Sequence, residues 1–287
     1  MARRRFRFHR AALLALAAAL AAGPASAAQR IVAAGAAVTE ILWELGAAGE
    51  VIGVDTTSKR PAEALATRPD VGYYRRLAPE GLLSLAPTLV VAVDGAGPRE
   101  TFETIGAAGI RVVRVPEAWS AAGVRAKIEA IGRVVGREAE AGRLAAASDA
   151  AFDRLAAERD AAPYRPRILL LMSLAGDRPL AAGRGTPADA LIGLVGGINA
   201  ANDFTGYRQM TDEAVISASP EVVAMMDVGQ GTVDPDRVFS LPAFAGSPAA
   251  AAKRLVAVDG VSHLGFGPRV AEEALVLLRT IRSDPHR

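Results

Sequence analysis

The chain has 287 residues, a length that suits about two domains. Apolar residues make up 51% of it and charged residues 22%, which excludes a disordered or collagen-like chain. No cysteine occurs, so disulfides, thiol catalysis and cysteine-ligated zinc or iron–sulfur clusters are excluded as well. The formal net charge of +2 is compatible with a nucleic acid or a membrane surface as a partner. The positions of the charges along the chain test that interpretation.

The first 27 residues have the three regions of an export signal. Five arginines precede an apolar run at residues 11–22, and Ala25-Ser26-Ala27 forms a cleavage site of small residues. About a dozen apolar residues are too few to span a bilayer, so we expect cleavage near Ala27 and no membrane anchor. Removal of residues 1–27 leaves 28 basic and 31 acidic residues, a net charge of −3. The sequence therefore predicts a periplasmic protein and argues against a nucleic-acid partner.

After Gln29, short apolar runs alternate with segments of helical spacing. Strands are predicted at residues 30–33, 50–54, 88–93 and 110–115, and helices at residues 38–45, 82–85, 102–108 and 120–135. Ser120 is a candidate N-cap, and Gly46, Gly109 and Gly136 are candidate helix stops. Because strands that alternate with helices form right-handed βαβ units, we expect residues 28–136 to form a lobe with a mostly parallel sheet.

The longest helical pattern of the chain covers residues 137–161 and ends before Pro163. Some 24 helical residues extend roughly 36 Å, about the diameter of a domain. The alternation then restarts, with strands at residues 167–172, 222–226 and 255–258 and helices at residues 187–195 and 270–281. The predicted fold is thus α/β, with two Rossmann-like lobes (residues 28–136 and 162–287), one long connecting helix, and a ligand cleft between the lobes.

An internal repeat supports two related lobes. Residues 74–87 align without a gap with residues 207–220, and the matching pairs are Tyr74 and Tyr207, Arg75 and Arg208, Glu80 and Glu213, Ser84 and Ser217, and Pro87 and Pro220. Each copy is interpreted as a loop, a short helix, a turn that ends at proline, and a strand. Chance similarity of two αβ turns is the alternative, but five matches on opposite sides of the connector favour duplication. The two tyrosine loops are then expected to face each other.

Catalytic and metal-binding patterns are scarce. His9 leaves with the signal and His286 lies next to the C-terminus, so a three-histidine site cannot be built, and His263 is expected at the surface or between the lobes. No G-x-S-x-G elbow occurs. The glycine-rich residues 183–186 and 196–199 do not continue as a phosphate loop and are interpreted as turns beside a helix. These patterns favour a binding protein over an enzyme.

Tyrosine is the residue type that carries most information. Tyr73, Tyr74 and Tyr207 lie in the repeated loops, and an arginine follows each within two residues. A ferric ion or a neighbouring guanidinium favours the phenolate, and tyrosinate binds haem iron in catalase. The alternative is a loop tyrosine that packs its ring and hydrogen-bonds its hydroxyl, and the spacing alone favours that alternative.

Five segments carry a resemblance to a known family. They are residues 71–85 (VGYYRRLAPEGLLSL), 182–190 (AGRGTPADA), 206–208 (GYR), 213–216 (EAVI) and 264–269 (LGFGPR). With them the chain resembles the periplasmic haemin-binding proteins of bacterial ABC importers. These belong to a wider class of two-lobed, helix-linked binding proteins that includes cobalamin and siderophore binders, which are the alternative function.

The resemblance implies that Tyr73, in Val-Gly-Tyr, is the axial ligand of ferric haem b. Arg75 then tunes the phenolate or meets a propionate, while Tyr207 and Arg184 are further haem contacts. Tyr74 is a competitor for the ligand role, because the repeat aligns it with Tyr207. No histidine occurs near residues 172–175, where some relatives have one, so a single tyrosinate or a second ligand other than histidine is expected.

The resemblance also implies a partner, an inner-membrane ABC permease. One glutamate of each lobe docks onto permease arginines in that family, and Glu80 and Glu213 fit this role here. The alternative for both is a solvated first-turn carboxylate that the helix dipole favours. The expected protein is a monomeric carrier whose rigid connector allows only a small closure on binding.

Overall fold

The structure, a computed structural model, describes residues 29–161, 163–227 and 233–283. The predicted signal peptide at residues 1–27 lies outside this part of the chain. Within it, no helix is both long enough and apolar enough to cross a membrane.

The N-terminal lobe is built on a parallel sheet of four strands. They are β1 (Ile31–Ala34), β2 (Val51–Val54), β3 (Leu89–Val93) and β4 (Arg111–Val115), in the order β2-β1-β3-β4. Five helices accompany them: α1 (Ala36–Glu44), α2 (Glu63–Thr67), α3 (Pro79–Leu83), α4 (Arg99–Ala107) and α5 (Ala121–Val135). Strands β1 and β3 are buried along their whole length, as expected for parallel strands covered on both faces. The predicted α/β alternation of this lobe is confirmed.

Local signals define the ends of the helices in this lobe. The Ser120 hydroxyl accepts a hydrogen bond from the Gly123 N–H (3.1 Å) and so caps α5, as predicted. Gly136 ends that helix in the left-handed conformation, with φ 68°. Helix α3 begins earlier than predicted because Pro79, whose missing N–H costs nothing at a helix start, occupies its first turn.

One long helix, α6 (Glu138–Asp160), lies between the two sheets in the chain. Its 23 residues extend about 35 Å. The C-terminal helix α13 (Val270–Arg282) packs along it. Between the two helices, Arg279 donates from Nε and from one terminal nitrogen to the two carboxylate oxygens of Glu158, over 2.8 and 2.7 Å. Buried residues of α6, α13 and both sheets share one apolar core, which couples the connector to the two lobes.

The C-terminal lobe is built on a mixed sheet. Its strands are β5 (Arg167–Ala175), β6 (Arg178–Ala182), β7 (Ile198–Asn199), β8 (Tyr207–Gln209), β9 (Val222–Asp227) and β10 (Leu255–Asp259). The order is β10-β9-β5-β6-β8, with β7 beside β5. Strands β10, β9 and β5 are parallel to one another. Towards the other edge of the sheet, β6 runs antiparallel to β5, and the edge strand β8 runs antiparallel to β6.

The helices of this lobe are α7 (Pro187–Leu194), α8 (Asp212–Ala218), α9 (Pro235–Ser240), α10 (Pro242–Ala245), α11 (Pro248–Ala251) and α12 (Gly260–Leu264). The two antiparallel strands are absent from the sequence prediction. Gly176 and Asp177 join β5 to β6 with φ of 61° and 58°, as in a two-residue hairpin turn. Tyr207 consequently lies on the edge strand β8, which corrects its assignment to a loop.

Charged side chains of the C-terminal segment reach the N-terminal lobe. Arg269 Nε donates to Glu40 Oε1 over 2.6 Å, and burial raises the pKa of Glu40 although this arginine opposes the shift. A second cross-lobe pair joins Arg60 to Glu273 at 2.5 Å. Phe266, in the Gly-Phe-Gly-Pro-Arg segment, is fully buried at the same junction. In addition to the connecting helix, these contacts join the two lobes.

Candidate ligand-binding site between the lobes

A short turn, hydrogen-bonded at both ends, carries the tyrosine pair of the N-terminal lobe. Gly72 has φ +94°, a conformation that other residues rarely adopt, which explains the glycine of Val-Gly-Tyr. The Thr56 N–H donates to the Gly72 carbonyl (3.1 Å), and the Gly97 N–H donates to the Tyr74 carbonyl (2.9 Å). Both ends of the turn are thereby tied to loops that follow β2 and β3, the two strands on either side of β1 in the parallel sheet. Ligands of open α/β sheets bind at this carboxyl edge.

The two adjacent tyrosines have different surroundings. Their ring centroids lie 5.0 Å apart in an edge-to-face arrangement. Arg75 Nε donates to the Tyr74 hydroxyl over 2.8 Å, and the guanidinium lies 5.2 Å from the centre of the Tyr74 ring. Burial raises the pKa of Tyr74, although Arg75 opposes that shift. Tyr73 is 40% exposed, and its hydroxyl has no hydrogen bond to any described residue. Tyr73 is therefore open to a ligand, whereas the Tyr74 oxygen is already engaged.

Tyr207 approaches this pair from the other lobe. It is 44% exposed on β8, and burial of its hydroxyl raises its pKa. Arg75 lowers that pKa while Glu117 and Tyr73 raise it, so all three lie within electrostatic reach of the Tyr207 oxygen. The structure thus brings Tyr73, Arg75 and Tyr207 together, with one tyrosine from each lobe.

Arg184 supports the start of β8 through its backbone. Its N–H donates to the Phe204 carbonyl (2.8 Å), and its carbonyl accepts from the Gly206 N–H (3.0 Å). The Arg184 side chain is exposed and pairs with no acidic group among the described residues. A Cβ at position 183 would lie 2.4 Å from the Phe204 carbonyl oxygen, so this close approach requires Gly183.

The glycine-rich segments are helix-flanking turns, as predicted. The Thr186 hydroxyl accepts from the Asp189 N–H (3.1 Å) and caps α7, directly after Gly185. Gly196 follows the same helix in the left-handed conformation, with φ 75°.

Glu117 is a site residue that the sequence analysis missed. It follows β4 and is half-buried, and its carboxylate raises the pKa values of Tyr74, Arg75 and Tyr207. A Cβ at position 95 would lie 2.5 Å from Glu117 Oε2, so Gly95 makes room for this carboxylate. No motif marks Glu117. Its place just after a parallel strand is the signal that could have indicated it.

Lys127 is a second residue that the sequence analysis missed. It is fully buried in α5, and its Nζ donates to the Phe266 carbonyl of the other lobe over 3.2 Å. Burial lowers the pKa of Lys127 to about 8, although Glu117 opposes the shift. Electrostatic interactions therefore link Arg75 at the site, through Glu117, to Lys127 at the lobe junction.

Glu80 and Glu213 occupy equivalent places in the two lobes. Each is the second residue of its helix, α3 and α8 respectively, and each is exposed. Hydrogen bonds from its own backbone N–H and from Thr211 lower the pKa of Glu213. Neither carboxylate forms an ion pair with a described residue.

Metal ligands of the usual kinds are scarce in this part of the chain. Among the described residues, no group of three or more histidines and carboxylates could hold a metal ion. His263 is buried in α12, and its Nδ1 lies 3.1 Å from the Asp259 carbonyl oxygen.

The Glu117 carboxylate is expected to set the ionisation of the nearby phenols. Glu117→Gln removes a negative charge that disfavours phenolate at Tyr74 and Tyr207, so both pKa values should fall. Ultraviolet difference titration of tyrosine ionisation measures this effect. The matched control Glu103→Gln changes an exposed carboxylate on α4 and should leave the titration unchanged. An identical titration of wild type and Glu117→Gln would contradict the placement of Glu117.

Comparison with known proteins agrees with this architecture. The model of a family described as periplasmic binding protein matches residues 31–261. The haem-binding protein RhuT of Roseiflexus sp. RS-1, solved in its apo form, is 34% identical, with a TM-score of 0.84 over 89% of this chain and 98% of that chain. For the haem-binding protein HutB of Vibrio cholerae the identity is 31% and the TM-score 0.80, over 90% of this chain and 100% of that chain.

A curated relative matches over a shorter stretch. It is an uncharacterized ABC transporter substrate-binding lipoprotein of Bacillus subtilis, YvrC, which is 28% identical over 192 residues. The match spans 66% of this chain and 60% of that relative. The family model, however, covers most of the chain, and both solved structures share its two-lobed architecture. The chain therefore belongs to the periplasmic binding protein family.

Proposed function

We propose that this protein captures ferric haem b in the periplasm and delivers it to an inner-membrane ABC permease. One observation carries the proposal: an exposed tyrosine of each lobe, Tyr73 and Tyr207, lies within electrostatic reach of the other and of Arg75. The similarity to solved proteins named as haem-binding supports the same ligand. The family is one of binding proteins, which favours a carrier over an enzyme.

Tyr73 is the axial ligand in this proposal. Ferric iron is a hard acid that favours a phenolate oxygen, and the oxygen of Tyr73 is free of hydrogen bonds to the described residues. The phenol must release its proton when the iron binds, because the phenolate is the form that ligates the metal. The positive charge of Arg75, two residues away, stabilises the resulting phenolate.

Arg75 also has N–H groups that are available to donate hydrogen bonds to the ligand. Its Nε is bound to Tyr74, which leaves the terminal nitrogens of the guanidinium for a propionate. Guanidinium groups bind carboxylates with two parallel hydrogen bonds, which would fix the orientation of the porphyrin. Tyr207 contacts the ligand from the opposite lobe, as its exposed ring on β8 allows. Arg184, exposed beside β8, is a further candidate for a propionate.

The lobe junction favours a small movement on binding. The connecting helix α6, the ion pair Arg269–Glu40 and the buried Lys127–Phe266 contact all join the two lobes. A large closure would have to break partly buried charge contacts, which is costly. We therefore propose that the site is pre-formed, in a carrier that acts as a monomer.

Calorimetry with three ligands tests the substrate. The mature chain, residues 28–287, is titrated with haemin, with cyanocobalamin and with a ferric siderophore. Saturable binding of haemin alone supports the proposal. Saturable binding of cobalamin or the siderophore, with none for haemin, would assign the chain to the alternative group of carriers.

Glu80 and Glu213 are proposed to dock onto basic residues of the permease. The double variant Glu80→Lys/Glu213→Lys should abolish haem transport into proteoliposomes that hold the permease and its ATPase, because like charges repel at an interface. Haemin affinity should stay unchanged, since both carboxylates are exposed on helices outside the tyrosine site. The control Glu138→Lys alters an exposed carboxylate in the first turn of the connecting helix and should transport normally. Loss of haemin binding in the double variant would contradict the docking role.

A further inference from the structure

Each of the two helices proposed for docking exposes an aliphatic side chain one turn after its glutamate. Leu83 follows Glu80 by three residues on α3 and is 36% exposed. Ile216 follows Glu213 by three residues on α8 and is 60% exposed. Residues three apart are neighbours on one face of a helix, so each lobe presents a carboxylate beside an aliphatic group.

The internal repeat relates the two pairs. The alignment that matches Glu80 with Glu213 also matches Leu83 with Ile216, without a gap. The preceding residues, Leu82 and Val215, are fully buried and supply the core contacts of the two helices. Leu83 and Ile216, by contrast, belong to neither apolar core among the described residues. Duplicated exposure of both points to a contact with another molecule.

Charge indicates the chemistry of that molecule. Glu80 and Glu213 have no ion-pair partner among the described residues, so both carboxylates are available to a cation. A single exposed aliphatic residue is common on a protein surface. Two of them, each beside an unpaired carboxylate at repeat-related positions, fit a partner that offers two equivalent surfaces. Each surface would hold a basic residue next to an apolar depression.

We propose that Leu83 and Ile216 are the apolar anchors of the docking surface for the permease. Each glutamate meets an arginine or lysine of the periplasmic face of the permease, and the neighbouring aliphatic group enters an apolar depression beside it. The proposal rests on the proposed carrier function and adds to it. The charges guide and orient the encounter, whereas the apolar contacts slow dissociation and resist salt.

Serine substitutions test the anchors. Leu83→Ser and Ile216→Ser remove the aliphatic groups from exposed positions, so the fold and the haemin titration should be unaffected. Binding of the haem-loaded protein to the permease and ATPase in lipid nanodiscs is measured as a function of salt. Each single variant should weaken binding roughly tenfold, the effect of exposing one buried aliphatic side chain, and the double variant should weaken it further.

A matched control and a charge variant separate the possible results. Val276→Ser removes from α13 an aliphatic group that is as exposed as Ile216 (61% against 60%), and this variant should bind like wild type. Glu80→Gln/Glu213→Gln should lose most of the salt dependence, whereas Leu83→Ser/Ile216→Ser should retain it. Normal binding of the serine variants, with weak binding of the glutamine variant, would overturn the anchors and leave the carrier function intact. A wild-type protein that fails to bind haemin would instead overturn the carrier function.

Discussion

Tyr73→Phe is expected to lower the affinity for haemin at least about 100-fold and to abolish the absorption bands of tyrosinate-bound iron. Loss of a residue that merely supports a metal ligand costs roughly 10–100-fold, so loss of the ligand itself should cost more. The substitution removes only the hydroxyl of a side chain that is 40% exposed. Folding should therefore be unaffected. The measurement is an absorption titration of the variant with haemin.

Tyr74→Phe is the matched control for this substitution. It removes the adjacent hydroxyl, which already accepts a hydrogen bond from Arg75. We expect this variant to keep the haem spectrum of the wild type and to lose only a few-fold in affinity as Arg75 is released. The opposite pattern would make Tyr74 the ligand and contradict the proposed site. In that pattern Tyr73→Phe keeps the wild-type haem spectrum and affinity, whereas Tyr74→Phe loses both.

Lys127→Met is expected to stabilise the protein at neutral pH and to reduce the pH dependence of its stability. Burial lowers the pKa of Lys127 from 10.5 to about 8 in the folded state. Between these values the unfolded chain binds more protons, so the free energy of unfolding rises with pH through this window. The rise from pH 7 to pH 9.5 should be about 2 kcal/mol in the wild type. Methionine fills the same space without a charge to desolvate.

Chemical denaturation at both pH values measures this effect. The other titratable groups act on wild type and variant alike, so the difference between the two proteins isolates Lys127. Lys59→Met, which replaces an exposed lysine, is the control and should follow the wild type. The account of Lys127 as a buried charge fails if Lys127→Met is less stable than the wild type at pH 7 and keeps the full rise with pH.

The N-terminal lobe could be predicted from its sequence because each signal there is local. Runs rich in valine form the buried strands, and Ser120 and Gly136 mark the ends of α5. The antiparallel edge of the C-terminal lobe was missed for a physical reason. Strand β8 has only three residues, all exposed, so no apolar alternation marks it. The turn residues Gly176 and Asp177 were the available signal.

The site could be predicted only in part. Tyr73 was predicted from the family resemblance, and Tyr207 from the repeat together with that resemblance, because both lie in recognisable segments. Glu117 and Lys127 belong to no motif and derive their importance from tertiary contacts with Gly95 and Phe266. A lysine in an otherwise amphipathic helix is usually interpreted as a solvated residue, and only the fold reveals that Lys127 is fully buried.

Absorption titration of the mature protein with haemin tests the central claim most directly. A saturable shift of the Soret band, together with the bands of a tyrosinate-bound ferric haem, is the result that we predict. A spectrum that remains the sum of free haemin and protein at every ratio would contradict haem capture by this chain.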